Sequence, residues 1–179
     1  MNTKFFTGSG DTGSVIIGKK NKKKSDPCFD VLGFCDEVNV CAGYAALVAS
    51  PSIKKFVLRI QEILFIVQAE IASLIFGGKA PHITSNHIKE LEMMIEVCDK
   101  EIPPIKNFII PGGSEASLRM EVARVRSRTF ERLLVGIEDD YAISPDLKTF
   151  SNRLSSVFFA FARYENRKRG IEEKNPSYK

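Results

Sequence analysis

Between Val57 and Phe76 the chain reads VLRIQEILFIVQAEIASLIF, and this stretch limits the available folds more than any other. An unbroken apolar run of that length would span a bilayer. Here Arg59, Gln61, Glu62, Gln68 and Glu70 interrupt it, leaving an amphipathic helix that must bury one side against the rest of the chain. No alternating period-two pattern persists elsewhere, so the covering partners are predicted to be helices as well.

The punctuation of the chain agrees. Residues 1–25, rich in glycine and small hydroxyl residues and carrying the run KKNKKK, read as a loop. Ser25-Asp26-Pro27 reads as a capped helix start that DVLGFCDEVNVCAGYAALVA continues. A second helix spans about Ser52 to Phe76 and stops at Gly77-Gly78, and a third spans about Ser85 to Lys100, before Ile102-Pro103-Pro104. NFIIPGGS is a short apolar run closed by a Pro-Gly-Gly turn. A fourth helix runs from Glu115 to about Glu138, and Ser144-Pro145 opens a last one that reaches Arg169-Gly170. Five helices with short connections predict an all-α chain folded as an antiparallel five-helix bundle, and no internal repeat suggests a solenoid.

A length of 179 residues with 44% hydrophobic content suits one compact domain. The net charge is only +4, from 26 basic and 22 acidic residues, so an anionic partner is bound locally rather than over a broad basic coat. Cys28, Cys35, Cys41 and Cys98 contain no C-x-x-C pair, and with only His82 and His87 beside them no zinc or di-iron ligand set is recognisable. With no charged and then apolar leader at the start, a reducing cytoplasm is the expected location, and no membrane segment is expected.

The fourth helix contains VARVRSRTFERLLV, in which Arg124, Arg128 and Arg132 stand four residues apart with Glu131 among them. Helical spacing gathers all four on one stripe, while Val122, Val125 and Leu133 are expected to form the apolar side. Like charges at i, i+4 repel, and one glutamate answers only one arginine. The surplus points to an external anion, because the planar guanidinium fork matches carboxylate and phosphate oxygens two at a time. On this segment alone, a solvated face with ordinary ion pairs explains the pattern equally well.

Other polar residues fall at related positions. Asp36 and Asn39 share a face of the first helix among apolar neighbours, and Arg124 or Arg128 is the obvious cation for that carboxylate. In the last helix Asn152 and Arg163 are almost three turns apart, with Ser155 and Ser156 nearby, so polar groups from three helices are expected to converge. A buried network that only fixes helix register would have the same spacing. The opening TGSGDTGS offers flexible backbone N–H groups and hydroxyls, and Lys24 adds a charge just before a helix N-terminus. It is neither a Walker A loop nor a dinucleotide fingerprint, and read alone it is an ordinary flexible terminus.

Taken together, TGSGDTGS, KSDPCFDVLGFCDEVN, FIIPGGS, ARVRSRTFER and FSNRLSSVFFAFARYEN occur in the order and spacing of PduO-type ATP:cob(I)alamin adenosyltransferases. The resemblance runs from about Thr7 to Glu173, nearly the whole chain. It implies a bundle assembled as a homotrimer with active sites between subunits. It also implies transfer of the 5′-deoxyadenosyl group of ATP to the cobalt of a reduced corrinoid, with Mg²⁺ as companion of the triphosphate. A reductase or an adenosylcobalamin-dependent enzyme would be a further partner. By this resemblance residues 1–25 are the ATP-binding loop, 26–170 the adenosyltransferase bundle and 171–179 a tail.

The family's roles fall on particular positions. Thr7, Gly8, Ser9 and Gly10 match its phosphate loop, closed by Lys24. Arg128, Glu131, Arg132 and Asn152 match its ATP-binding positions, while Asp36 and Arg124 match an ion pair across the subunit boundary. Phe108 matches the aromatic residue that excludes a lower axial ligand from cobalt. The chain departs from the family at Gly8 and Thr12, which replace basic loop residues, and in a slightly short segment between Gly10 and Lys24. Thr129 and Phe130 replace arginine and alanine, and Arg126 is expected to intrude on the apolar arc. Two other readings are an ATP-binding regulatory protein of the same fold without transfer activity, and a basic helical module binding nucleic acid through Lys19 to Lys24 and the arginine helix.

Overall fold

The computed structural model describes residues 5, 8, 10–17 and 20–178. Five helices dominate: α1 Pro27–Ala46, α2 Pro51–Phe76, α3 Ser85–Asp99, α4 Glu115–Val135 and α5 Pro145–Lys168. Their starts follow local chemistry. Asp26 accepts from the Cys28 amide ahead of Pro27, and the Ser114 and Ser144 hydroxyls accept from Ser117 and Leu147. α1 stops at Ala46, three residues before the apolar pattern ends, and α4 stops at Val135 and continues into turns. No helix among the described residues is long and apolar enough to cross a membrane.

Within the segment read as a loop, Ser14–Ile17 (β1) and Lys20–Lys23 (β2) pair as an antiparallel hairpin. The signal was missing because β2, Lys-Asn-Lys-Lys, buries no face, so backbone pairing leaves no alternation in the sequence. The hairpin is fixed to the bundle by three contacts. Lys20 Nζ donates to the Ile75 carbonyl at 2.8 Å, Lys22 pairs with Asp26 at 2.6 Å, and the Lys22 ammonium lies 5.5 Å from the Tyr141 ring centroid.

Side-chain pairs give the helix directions. α1 and α2 run antiparallel through Asn39 with Gln61 and Cys35 with Leu64, and α1 and α4 through Glu37 with Arg126 and Tyr44 with Arg119. α4 and α5 are antiparallel through Ser114 with Asn166 and Glu131 with Asn152. α3 and α5 run in the same direction, joined by Glu92 with Arg153 and Glu101 with Tyr164. An up-down succession of five helices produces this arrangement. From Leu154 to Asn166 every residue of α5 except Ser156 and Phe159 is buried, so α5 is the central helix.

Buried polar groups clip the ends of the bundle. Glu165 accepts from the Ser50 amide at 2.8 Å and the Ser50 hydroxyl at 2.7 Å, joining α5 to the start of α2. Glu70 accepts from the Ile83 amide at 2.6 Å and from Ser144 Oγ at 2.9 Å. Asn166 accepts from the Ser114 amide at 2.9 Å and donates to the Gly112 carbonyl at 2.9 Å, which anchors the Pro-Gly-Gly turn. Gly113 sits at φ +95°, and a Cβ there would lie 2.5 Å from Asn166 Oδ1. Gly113→Ala is therefore expected to cost about 2–4 kcal/mol, from left-handed backbone strain and a displaced buried hydrogen bond. Urea denaturation checks this, and a loss below about 0.5 kcal/mol, the range of an ordinary surface change, would contradict it.

Candidate active site

The site is set by how α4 packs. Met120, Ala123, Ser127, Phe130 and Leu134 recur at spacings of three and four, and all are buried. Ser127 is accommodated because its hydroxyl donates to the Ala123 carbonyl at 2.8 Å. Glu121, Arg124, Arg128 and Glu131 each follow a buried residue by one position, which turns them about 100° away from the α5 interface. The polar stripe thus stands at the edge of the core contact. The apolar side differs from the one expected: Val122 and Val125 are exposed, and Leu133 is half-buried. Arg126 does not intrude on the core, since it reaches across to Glu37 on α1 at 3.2 Å.

At one end the stripe enters a cleft of about 930 Å³ between α4, α5, the loop after α3 and the C-terminal tail. Glu121, Arg124 and Arg128 line it from α4, Ser155, Ser156 and Phe159 from α5, and Phe108 from the loop. Glu121 is buried and its carboxylate pairs with Arg124 Nε at 2.5 Å, while the Arg124 guanidinium carbon lies 5.7 Å from the Phe159 ring centroid. Arg124 is therefore held between a carboxylate and an aromatic face. Arg128 makes no ion pair and no side-chain hydrogen bond among the described residues. Phe108 is 80% exposed, so this large ring is not a core residue.

Toward the other end of α4, Glu131 accepts from Asn152 Nδ2 at 2.8 Å, and Arg132 donates to the Thr129 hydroxyl at 3.2 Å. Thr129, one of the departures from the family pattern, thus steadies an arginine. In the hairpin segment Gly10 sits at φ +91°, and a Cβ on it would meet Lys24 Cε at 2.9 Å and Nζ at 3.2 Å. The lysine side chain therefore lies directly over this glycine. Gly8 also has positive φ and is exposed, whereas Thr7 and Ser9 lie outside the described residues. No hydrogen bond or ion pair joins the hairpin to the arginine stripe within one chain, among the described residues.

Two expected convergences do not form within a chain. Asp36 is exposed on α1 and does not meet Arg124, whose partner is Glu121. Arg163 turns away from Asn152 and Ser156: it is buried and grips Glu173 of the tail at 2.9 Å. Glu121 and Phe159 were missed by sequence reasoning. Glu121 stands three residues before Arg124, a helical pairing distance that was there to be read. Phe159 hid in a run of five phenylalanine and alanine residues, Phe158 to Ala162, with no sign of which ring faces outward.

The nucleophile inventory is equally informative. Burial pushes the Cys35 and Cys98 thiols up to about 12, so neither is a poised thiolate. Two lysines of the run, Lys20 and Lys22, are engaged with the bundle, which weakens a nucleic-acid reading. Among the described residues no three His, Cys, Asp or Glu side chains gather into a metal cage.

The site thus combines a helical bundle, a cleft lined by Arg124 and Arg128 with the exposed Phe108 ring, and Lys24 lying over Gly10. The family model for cobalamin adenosyltransferase matches residues 5–165, and the chain belongs to that family. It is 32% identical over 167 residues to corrinoid adenosyltransferase PduO of Citrobacter freundii, covering 90% of this chain and 50% of that protein. The chain thus spans about half the length of the PduO relatives from Citrobacter freundii and Salmonella typhimurium. It is 32% identical over 174 residues to a corrinoid adenosyltransferase of Bacillus subtilis, covering 94% of this chain and 89% of that one. A solved variant of the PduO-type ATP:corrinoid adenosyltransferase from Lactobacillus reuteri, complexed with cobalamin and ATP, superposes with a TM-score of 0.89 at 29% identity, over 97% of each chain.

The hairpin anchor yields a pH prediction. The Lys22 ammonium, followed by the Cys28 amide, lowers the Asp26 carboxyl from its ordinary 3.8 to about 2. A depressed carboxyl contributes stability that is full above its unfolded value and is lost as pH falls through the folded one. Asp26→Asn should therefore destabilise the protein at neutral pH, and the gap from wild type should close between pH 4 and 2. Denaturant melts across that range check the convergence, and a gap independent of pH would contradict it.

Proposed function

We propose that this chain transfers the 5′-deoxyadenosyl group of ATP to the cobalt of a reduced corrinoid, giving adenosylcobalamin and triphosphate. The observation that carries the reading is the cleft in which Arg124 and Arg128 face the exposed ring of Phe108. One wall suits an anion and the other an apolar macrocycle. The solved Lactobacillus reuteri relative complexed with cobalamin and ATP supports the same pairing of ligands.

In this reaction cobalt(I) of the substrate attacks the ribose C5′ with its electron pair, the C5′–O bond breaks, and triphosphate leaves with the bonding electrons. No protein nucleophile is needed, which agrees with thiols held protonated. The chain's tasks are positioning and charge stabilisation. Arg128 and Arg132 take the phosphate oxygens, Glu131 and Asn152 orient the nucleotide, and Lys24 with the Gly8–Gly10 backbone and the hydroxyls of Thr7 and Ser9 closes on the triphosphate. Mg²⁺, brought in with ATP, would supply further neutralisation of the leaving triphosphate's charge beside Arg128 and Arg132. Phe108 supplies a dry surface where an axial ligand would otherwise sit, which favours the four-coordinate cobalt(II) from which cobalt(I) forms.

The proposed assembly is a homotrimer with each site shared between subunits. Val40 and Tyr44 of α1, Leu47 just past its end, and Leu118, Val122 and Val125 of α4 leave an apolar stripe exposed on a single chain. Asp36 lies on the same α1 face one turn before Val40, which would bring it to a neighbouring subunit's Arg124. The hairpin of one chain would then meet the arginine stripe of the next. A reducing cytoplasm suits the four free cysteines. A reductase that supplies cobalt(I), or an enzyme that consumes adenosylcobalamin, would be a transient partner.

Two outcomes test this reading. Arg128→Ala should lower adenosyl transfer by about 10²–10³-fold, the effect of losing one preorganised electrostatic donor, and Arg128→Lys should recover little of it because a point charge lacks the bidentate fork. Anaerobic single-turnover spectra check the rate, and near-normal turnover in Arg128→Ala would contradict the assignment. Asp36→Asn should lose activity and regain part of it in hybrid trimers with Arg132→Ala subunits, whereas fully active monomers in sedimentation would contradict a shared site.

A further inference from the structure

We infer that the C-terminal segment 171–176 is a strap that holds the Phe108 loop at the cleft, and that the buried Arg163–Glu173 pair is its latch. Arg163, Glu173 and Asn175 are then positioning residues for the corrinoid end of the reaction, an inference that rests on the adenosyltransferase reading above.

The loop between α3 and α4 is the longest connection in the bundle and contains no helix or strand. It is tied at its end by Asn166, which holds Gly112 and Ser114. Its middle, where Phe108 sits, has exposed apolar side chains at Ile105, Phe108 and Ile110. Core packing does not hold it there. Two hydrogen bonds do, and both go to the tail: the Ile110 amide donates to the Lys174 carbonyl at 2.8 Å, and Asn175 Nδ2 donates to the Phe108 carbonyl at 2.7 Å. The backbone of the proposed corrinoid-facing residue is therefore set by residues beyond the last helix.

The tail has no regular structure of its own, so something must fix it in turn. Gly170, at φ +65°, reverses the chain, and the Ile171 amide donates back to the Asn166 carbonyl. Glu173 then accepts from Arg163 Nε at 3.0 and 3.1 Å and from Nη2 at 2.9 Å. Arg163 Nη2 also donates to the Pro103 carbonyl at 2.9 Å, so one buried guanidinium grips both the tail and the start of the loop. A cavity of about 370 Å³ lies among these segments, so polar clips rather than close packing join them. Because the Arg163 side chain is only 6% exposed, releasing the tail strands a buried charge. That cost makes the latch hold.

The arrangement predicts a defect confined to one substrate. Phe108 lines the cleft with Glu121, Arg124 and Arg128, whereas Glu131, Arg132 and Asn152 lie outside its lining, toward the C-terminal end of α4. Loosening the strap should disturb the corrinoid and leave ATP alone. Glu173→Gln keeps the shape and removes the charge, and Asn175→Ala cuts the tie to Phe108 without touching the buried pair, so it reports even if the first variant folds poorly. In the ligand-free protein, hydrogen exchange at the Ile110 amide should quicken by roughly tenfold in both variants, while the buried α4 amides around Phe130 keep wild-type rates. In steady-state assays both should raise the KM for reduced cobalamin by roughly tenfold, weaken the four-coordinate cobalt(II) spectrum and leave the KM for ATP within about twofold. If wild type itself transfers no adenosyl group, the activity reading fails, and Ile110 exchange unchanged from wild type then overturns the strap as well. If wild type is active and both variants keep its cobalamin KM and cobalt(II) spectrum, the strap is overturned while the adenosyltransferase reading stands.

Discussion

The contact between α4 and α5 governs the rest of the molecule. One face of α4 repeats at three and four residues to seat Met120, Ala123, Ser127, Phe130 and Leu134 on the central helix. A helix cannot rotate away from such a seam without exposing Phe130 and Leu134, a loss of about 1.5–3 kcal/mol for each side chain. The residues after the seam positions stand at the edge of the core, where Glu121 is buried, Arg124 is half-buried and paired with it, and Arg128 is exposed. Arg128, with no ion pair among the described residues, is the arginine of this edge left to meet an anion.

The same helix pair also separates the chemistry into two ends. In the cleft, the Pro-Gly-Gly turn, Asn166 and the tail hold the loop whose Phe108 lines the wall with the mid-helix Arg124 and Arg128. Near the end of α4, Glu131, Asn152 and Arg132 form a polar group without an aromatic wall. In the proposed reaction the corrinoid would take the first place and the nucleotide the second. The hairpin does not reach the arginine stripe within one chain, while an apolar stripe on α1 and α4 stays uncovered. In the proposed assembly a second copy of the chain would supply what is missing in both places.

Helix existence was legible because capping residues, prolines and glycine stops are local signals, and all five helices fall where these place them. The inward face of α4 was not. Valines 122 and 125 outweigh Ala123 and Ser127 in hydropathy, yet the small residues are the buried ones because they let two helices approach closely and because the Ser127 hydroxyl is satisfied by its own helix. The hairpin was illegible because its second strand, β2, buries no face. Arg124 and Arg128 were readable from spacing and stand together in the cleft, whereas Arg163 shared the helical face expected of it and was claimed by Glu173. Helical phase says which residues share a side of a helix. It does not say which tail or loop covers that side, and the placement of Phe108 by residues 174 and 175 is a contact of that kind.

The proposed function requires a corrinoid and a triphosphate to be handled together beside Arg124 and Arg128, which line one cleft with Phe108. The most direct measurement is anaerobic incubation of the protein with ATP, Mg²⁺ and chemically reduced cobalamin, following the cobalt spectrum and the released phosphate species in the same sample. The account predicts adenosylcobalamin and intact triphosphate appearing in equal amounts. Binding of both ligands without transfer, or triphosphate released without an adenosylated corrinoid, would contradict it.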